Sequence, residues 1–294
     1  MVWYDGAVVT RIDPYLGTVV HLVQSRQHRP NQPASGCPFC VGGLEAPEPY
    51  EVRAFPNRWP SLGEGRCEVV LYSPDHDATL ASLGVGGVRR VIDLWAERTA
   101  ALRALADVEY VLVFENRGAE VGATIAHPHG QVYAFDHVPA RPRRRMEAGW
   151  RPDVDGVDRV IVERVGWRAV AQSAPVYPVS LSVFPLAQER DLPSMGSAAR
   201  DGLAEVLVEV MGRLDRLFDR PLPYMMWVHQ ASTSGTAGGG RTVDHWLDIE
   251  IVSPWRAAGV QRFIAAAEVA CEEYFNPVSP EELAERLRRL GAGG

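Results

Sequence analysis

The same order of elements runs along this chain twice. In the first half, "CEVVLYS" (67–73) has strand composition. "LGVGGVRRVIDLWAERTAALRAL" (83–105) then carries Val88, Val91, Ile92, Trp95, Leu102 and Leu105 at helical spacing. "EYVLVFENRG" (109–118) and "HGQVYAF" (129–135) read as two further strands. In the second half, "VYPVSLSVFP" (176–185) is a strand and "AARDGLAEVLVEVMGRLDRLF" (198–218) an amphipathic helix. "YMMWVHQAS" (224–232) and "HWLDIEIVSP" (245–254) are strands again, separated by a Gly/Ser/Thr-rich loop. This recurrence predicts an internal duplication. It implies an α+β fold of two tandem repeats, each packing a helix on antiparallel strands. The expected divisions are 1–140, a connector at 141–156, and 157–294, with the arginines of "HVPARPRRRMEAGWRPDVDG" (137–156) read as a solvated linker.

The remaining segments are read more locally. "VWYDGAVV" (2–9) and "TVVHLV" (18–23) are strand-like, and "HRPNQPASGCPFC" (28–40) is a turn-rich loop. Loop 231–242 reads as a long hairpin connection, because no Lys follows it in P-loop fashion. "SPEELAERLRRL" (279–290) opens with Ser279 and has Glu282 three residues on, the pattern of a capping box.

One strand carries chemistry. In "IAHPHGQVYAF" (125–135), alternation places His127, His129 and Gln131 on one face. A buried core would carry Val or Ile there, so the face reads as a site rather than as two ordinary surface histidines. No Ser or Cys stands in a recognisable nucleophile motif, and histidine can itself be a covalent nucleophile. A neutral imidazole whose Nδ1–H is held by a backbone carbonyl presents Nε2 as an attacking lone pair. Attack on phosphorus then needs positioning and neutralisation of charge. The preceding stretch, 114–124, supplies Asn116, Arg117 and Thr124 as donors and Gly118 and Gly122 for close backbone approach. Gln131 is an uncharged donor on the histidine face.

Cys37 and Cys40 form a C-x₂-C knuckle, a spacing that lets two thiolates reach one tetrahedral ion. No second knuckle exists, and His76 and His127 are the candidates for completing a Cys₂His₂ zinc site. Two reduced cysteines in a loop are the alternative. Cys67 and Cys271 read as buried small apolar residues. Four cysteines in 294 residues suit a reducing cytoplasm better than a disulfide framework. A net charge of −7 speaks against nucleic-acid binding. No run approaches bilayer length, and the N-terminal stretch lacks the basic-then-apolar pattern of a signal peptide.

"FENRGAEVGATIAHPHGQ" (114–131), preceded by "CPFC", "FPNRWP" and "SPDHDATL", resembles the galactose-1-phosphate uridylyltransferases. They are a duplicated branch of the histidine-triad superfamily, and the resemblance covers nearly the whole chain in order. It implies two histidine-triad-like repeats and a dimer whose active sites are shared between subunits. It also implies a ping-pong reaction in which a nucleoside diphosphate sugar leaves its nucleotide on His129 for a second sugar 1-phosphate. By the same resemblance Gln131 and Asn116 contact phosphates and nucleotide, and Cys37, Cys40, His76 and His127 are the zinc ligands. Phe55 and Asn57 belong to the nucleobase pocket, Arg26 and Arg29 to the phosphates, and Glu268 to the hexose.

Some members also carry a second metal in the second repeat. Here Asp248 and Glu250 stand at those ligand positions with His229. Such a trio could hold a hard metal, or the carboxylates could serve as hydrogen-bond partners. In "VQRFIAAAEVACEEYFNPVSPEE" (260–282), Ala267 and Tyr274 replace expected sugar contacts. That change predicts an acceptor other than plain galactose 1-phosphate. Three functions remain open at this point. They are a sugar-1-phosphate nucleotidyltransferase, a nucleoside diphosphate sugar phosphorylase or hydrolase, and a non-catalytic zinc-stabilised nucleotide-binding protein.

Overall fold

The computed structural model describes residues 8–28, 36–152, 154–155, 157–237 and 244–291. The first half contains β1 (Val9–Ile12), β2 (Val19–Leu22), β3 (Arg53–Pro56), β4 (Cys67–Leu71), α1 (Gly84–Arg103), β5 (Tyr110–Arg117) and β6 (His129–Phe135). After α2 (Ala140–Glu147) come β7 (Val160–Arg164), β8 (Trp167–Ala171), β9 (Val179–Pro185), α3 (Ser197–Arg216), β10 (Tyr224–His229) and β11 (Asp248–Ser253). The chain closes with β12 (Trp255–Ala257), β13 (Val260–Gln261), α4 (Ala266–Cys271) and α5 (Pro280–Arg289).

Among the described residues nine strands form one antiparallel sheet, ordered β3-β4-β6-β5-β10-β11-β9-β8-β7. The duplication is visible in this order. The β4-β6-β5 set of the first half mirrors β10-β11-β9 of the second. The two strands that follow the long helices, β5 and β10, pair with each other in antiparallel register, with Phe114 opposite Trp227. The repeats therefore share one continuous sheet with a local two-fold at the β5–β10 seam.

Helices α1 and α3 pack against each other and bury their apolar stripes on the sheet. Val88, Val91, Ile92, Trp95 and Leu102 are all buried there, as the spacing requires. Leu105 is 42% exposed, because the helix ends at Arg103 and Leu105 lies past its last turn. The opposite face of β4 is covered too. Val70 and Tyr72 join the helix-side core, while Val69 and Leu71 pack under the C-x₂-C segment with Phe39 and Ala46. Cover on both faces explains why β4 is buried at every position.

Other readings need correction. The strand expected over 2–9 begins only at Val9, and residues 2–7 lie outside the described part. It pairs with β2 in a separate two-stranded ribbon. The connector is not simply solvated, because its arginine-rich part folds into α2. Cys271 is exposed at the end of α4, whereas Cys67 is buried in β4 as expected. Ser279 caps α5, its hydroxyl oxygen accepting from the Glu282 N–H (3.4 Å), with Pro280 in the first turn.

Candidate active site

Strand β6 begins at His129 and alternates half-buried with buried positions. Val132 and Ala134 face the helix layer, so His129, Gln131 and Tyr133 share the other face. Gly130 sits between them for a steric reason. A Cβ there would collide with the Tyr72 hydroxyl and lie 3.0 Å from the Phe114 carbonyl oxygen. Only glycine lets this strand lie so close to the layer behind it.

His129 Nδ1–H donates to the carbonyl of His127 (2.7 Å). A carbonyl can only accept, so the neutral ring carries its lone pair on Nε2. His129 and Gln131 line a cavity of about 690 Å³, together with Phe55, Asn57, Thr124 and Ile125. Phe39 adds an aromatic wall, with ring centroids 5.1 Å from His129 and 5.7 Å from Phe55. The cavity thus combines aromatic walls with the polar side chains of His129, Gln131, Asn57 and Thr124, as ligand sites commonly do.

Cys37, Cys40, His76 and His127 bring their donor atoms within 4.8 Å of one another. Cys40 Sγ lies 3.5 Å from His76 Nδ1 and 3.7 Å from His127 Nδ1. With Zn–S about 2.3 Å and Zn–N about 2.0 Å, a tetrahedral site has an S···N edge of about 3.5 Å. The donor set therefore fits a tetrahedral ion. The surrounding groups fit as well. Buried His127 donates from Nε2–H to the Ser73 carbonyl (2.8 Å), which leaves Nδ1 for the ion. Tyr50 OH accepts from the same nitrogen (2.9 Å) and donates to the Phe39 carbonyl (2.7 Å). Burial and the nearby thiols push the Tyr50 phenol up to about 12, so it remains a donor. Burial, and then neighbouring Cys37, also push the Cys40 thiol up. A bound cation reverses that preference.

The other expected site residues divide. Gly122 (φ 86°) completes a one-turn 3₁₀ helix over Ala119–Val121 that delivers Thr124 to the cavity, and does not itself line it. Asn116 lies on β5, two residues beyond the Phe114 that pairs with Gln131, and so on the same face. Arg26 does not line the cavity, and its guanidinium donates to the Ser61 hydroxyl. Arg29 lies outside the described residues. Glu268 is buried away from the cavity, accepting from Arg262, from Ala265 N–H (2.8 Å) and from Phe275 N–H (3.0 Å). Ala267 and Tyr274 also stand outside the His129 cavity. Sequence reading missed Phe39, Trp59, Ile125 and Tyr133. Tyr133 could have been found, since it simply continues the alternation of His129 and Gln131.

The second half places a different chemistry at the equivalent position. Gln131, Phe114, Trp227 and Glu250 form one row across the sheet. His229, Asp248 and Glu250 do cluster with metal-like spacing. The carboxylates, however, already have cations. Arg145 donates to Asp248 (2.6 Å) and Glu250 (3.0 Å), and Arg141 to Glu250 (2.8 Å). His229 Nε2 also lies 2.8 Å from Glu250, and it accepts from the indole N–H of Trp227 (2.8 Å). Burial raises the Glu250 carboxyl, but neighbouring His229 and the two guanidinium groups outweigh it and hold it at about 2. Arginines expected in a solvated connector thus pin α2 to β11. Arg145→Ala would leave fully buried Asp248 without its charge partner. A loss of about 3–5 kcal/mol follows, read as a fall in thermal midpoint. An unchanged midpoint would show that α2 is not held this way.

Comparison with known proteins gives a consistent result. The N-terminal domain model of galactose-1-phosphate uridyl transferase matches residues 57–139, and the C-terminal domain model matches 123–292. The chain is 31% identical to a galactose-1-phosphate uridylyltransferase of Thermotoga maritima over 95% of this chain and 97% of that protein. It is 34% identical to the enzyme of the same name from Streptomyces lividans, over 95% of this chain and 86% of that one. A solved uridylyltransferase structure superposes with a TM-score of 0.84 at 26% identity, covering 96% of this chain and 98% of its own.

Proposed function

This chain belongs to the galactose-1-phosphate uridyl transferase family, and we propose that it works through a covalent uridylyl group on Nε2 of His129. It is a transferase acting on sugar 1-phosphates. The observation that carries the covalent reading is the Nδ1–H bond of His129 to the His127 carbonyl, on a residue that lines the cavity. Nε2 attacks the α-phosphorus of a UDP-hexose, and the bond from that phosphorus to the bridging oxygen breaks. Hexose 1-phosphate leaves with the bond electrons, and the uridylyl-imidazole remains. A phosphate oxygen of the second sugar 1-phosphate then attacks the same phosphorus and restores the neutral ring. Both leaving groups are weak bases, so little proton transfer is needed. Phe39 and Phe55 offer faces for the base, and Gln131, Thr124 and Asn116 offer uncharged donors for the phosphates.

The Cys37–Cys40–His76–His127 cluster holds a metal ion in this reading, and the chemistry of its donors favours zinc. Its role is structural, since the thiolates and imidazoles fill a tetrahedral shell. The acceptor we propose is galactose 1-phosphate, after which the relatives are named. A homodimer would let the exposed residues Phe263 and Phe275 serve a neighbouring subunit. Among the described residues no helix is long and apolar enough to cross a membrane, and we propose a cytoplasmic enzyme.

The test is isotope exchange between labelled glucose 1-phosphate and UDP-glucose without a second sugar. A covalent transferase exchanges the label at a rate comparable to net turnover. Consumption of UDP-glucose without exchange would indicate a hydrolase and overturn the transfer mechanism.

A further inference from the structure

Gln131 has an amide whose two ends look alike in shape but differ in chemistry, and its usefulness depends on which end meets the phosphate. The surrounding hydrogen bonds settle that orientation. Asn57 Oδ1 accepts from the Trp59 backbone N–H (2.9 Å), which can only donate. Asn57 therefore turns its NH₂ toward Gln131, and the atom it meets at 3.1 Å is Gln131 Oε1. Tyr133 OH lies 3.1 Å from the same oxygen and donates to it. Two donors on Oε1 leave the NH₂ end of Gln131 for the ligand.

The Tyr133 hydroxyl is itself directed. Ser61 Oγ is 3.1 Å from it, and the guanidinium of Arg26 donates to Ser61. Arginine has no acceptor, so Ser61 accepts from Arg26 and passes its one proton toward Tyr133. Tyr133 accepts from Ser61 and passes its own proton to Gln131. The chain runs one way, Arg26 to Ser61 to Tyr133 to Gln131, and each bond polarises the next.

We propose that Tyr133, oriented through Ser61 by Arg26, is a positioning residue that fixes Gln131 with its NH₂ edge toward the transferred phosphoryl group. The proposal rests on the reading of His129 and Gln131 as the phosphoryl-transfer site. It gives Arg26 a role without contact to the substrate. A full positive charge on the phosphate would stabilise the covalent state as well as the transition state. A neutral amide strengthened from behind stabilises developing charge without holding the intermediate too firmly.

The experiment is a double-mutant cycle. Wild type, Tyr133→Phe, Gln131→Ala and the double variant are assayed for kcat and KM with UDP-glucose and galactose 1-phosphate. Losing one of two bonds that set the amide should lower kcat about tenfold in Tyr133→Phe with KM little changed. In the Gln131→Ala background Tyr133→Phe should cost nothing further. Ser61→Ala keeps the Tyr133 ring packed on Phe114, and it should lower kcat in the same direction by less. If Gln131→Ala falls below detection in steady state, the cycle is read from single-turnover rates of uridylyl transfer with enzyme in excess over UDP-glucose. Wild-type kcat in Tyr133→Phe, or losses that multiply in the double variant, would overturn the relay. Full activity in Gln131→Ala would instead overturn the phosphate-site reading beneath it.

Discussion

His129→Gly should retain UDP-glucose binding and lose exchange by at least about 10⁴-fold, the scale on which removal of a covalent nucleophile acts. The substitution removes the imidazole and leaves the aromatic wall, Gln131 and the metal cluster in place. Binding should survive because the base slot of Phe39 and Phe55 is built on other elements. Chemistry should fail because no other imidazole lines the described cavity, and its two thiols, Cys37 and Cys40, belong to the metal cluster. Mass measurement should find a uridylyl adduct on wild type and none on the variant. His129→Asn is the sharper control, since it keeps polarity but has no ring nitrogen to attack phosphorus. Exchange at the wild-type rate in either variant would sink the covalent mechanism.

The legible part of this site was the part written in short-range order. A period of two put His129 and Gln131 on one face of β6, and the structure keeps them there. The knuckle spacing of Cys37 and Cys40 was equally local, but grouping it with His76 and His127 rested on the family resemblance, since the chain has eight histidines. What sequence reading could not reach depends on how distant segments return. The arginines of 141–145 look like a solvated run until α2 folds back over β11 and meets two carboxylates about 100 residues further on. The contact of the Arg26 guanidinium with Ser61, 35 residues on, is likewise beyond local pattern. Cys271 reads as apolar filling, but α4 lies at the surface and leaves it exposed. The fold was easier than the site, because duplication repeats the pattern and so checks it. Even so, the joining of both repeats in one sheet through β5 and β10 follows from edge strands that only pairing reveals.

Removal of the metal should act on both stability and substrate affinity, because the knuckle is also a wall of the cavity. Residues 36–45 line it, and their own contacts are thin: Phe39 and Ala46 pack on Val69 and Leu71 in a small cluster apart from the main core. The ion would tie this segment to His76 and to His127 at the foot of β6. Cys40→Ser should therefore take metal content from about one equivalent per chain to near zero. The cost should fall well below the roughly 10–16 kcal/mol of a zinc finger that folds only with its ion, since the helix-backed sheet stands without it. The thermal midpoint should fall by several degrees. KM for UDP-glucose should rise more than kcat falls, because the aromatic wall loosens while the Nδ1 bond of His129 to the backbone remains. Metal analysis also tests the second half. With Arg141 and Arg145 already on Asp248 and Glu250, the count should stay near one, and Glu250→Ala should not lower it. Two equivalents in wild type, one of them lost in Glu250→Ala, would mean that the arginines yield to an ion. A metal-free protein with an unchanged midpoint would refute the Cys₂His₂ site itself.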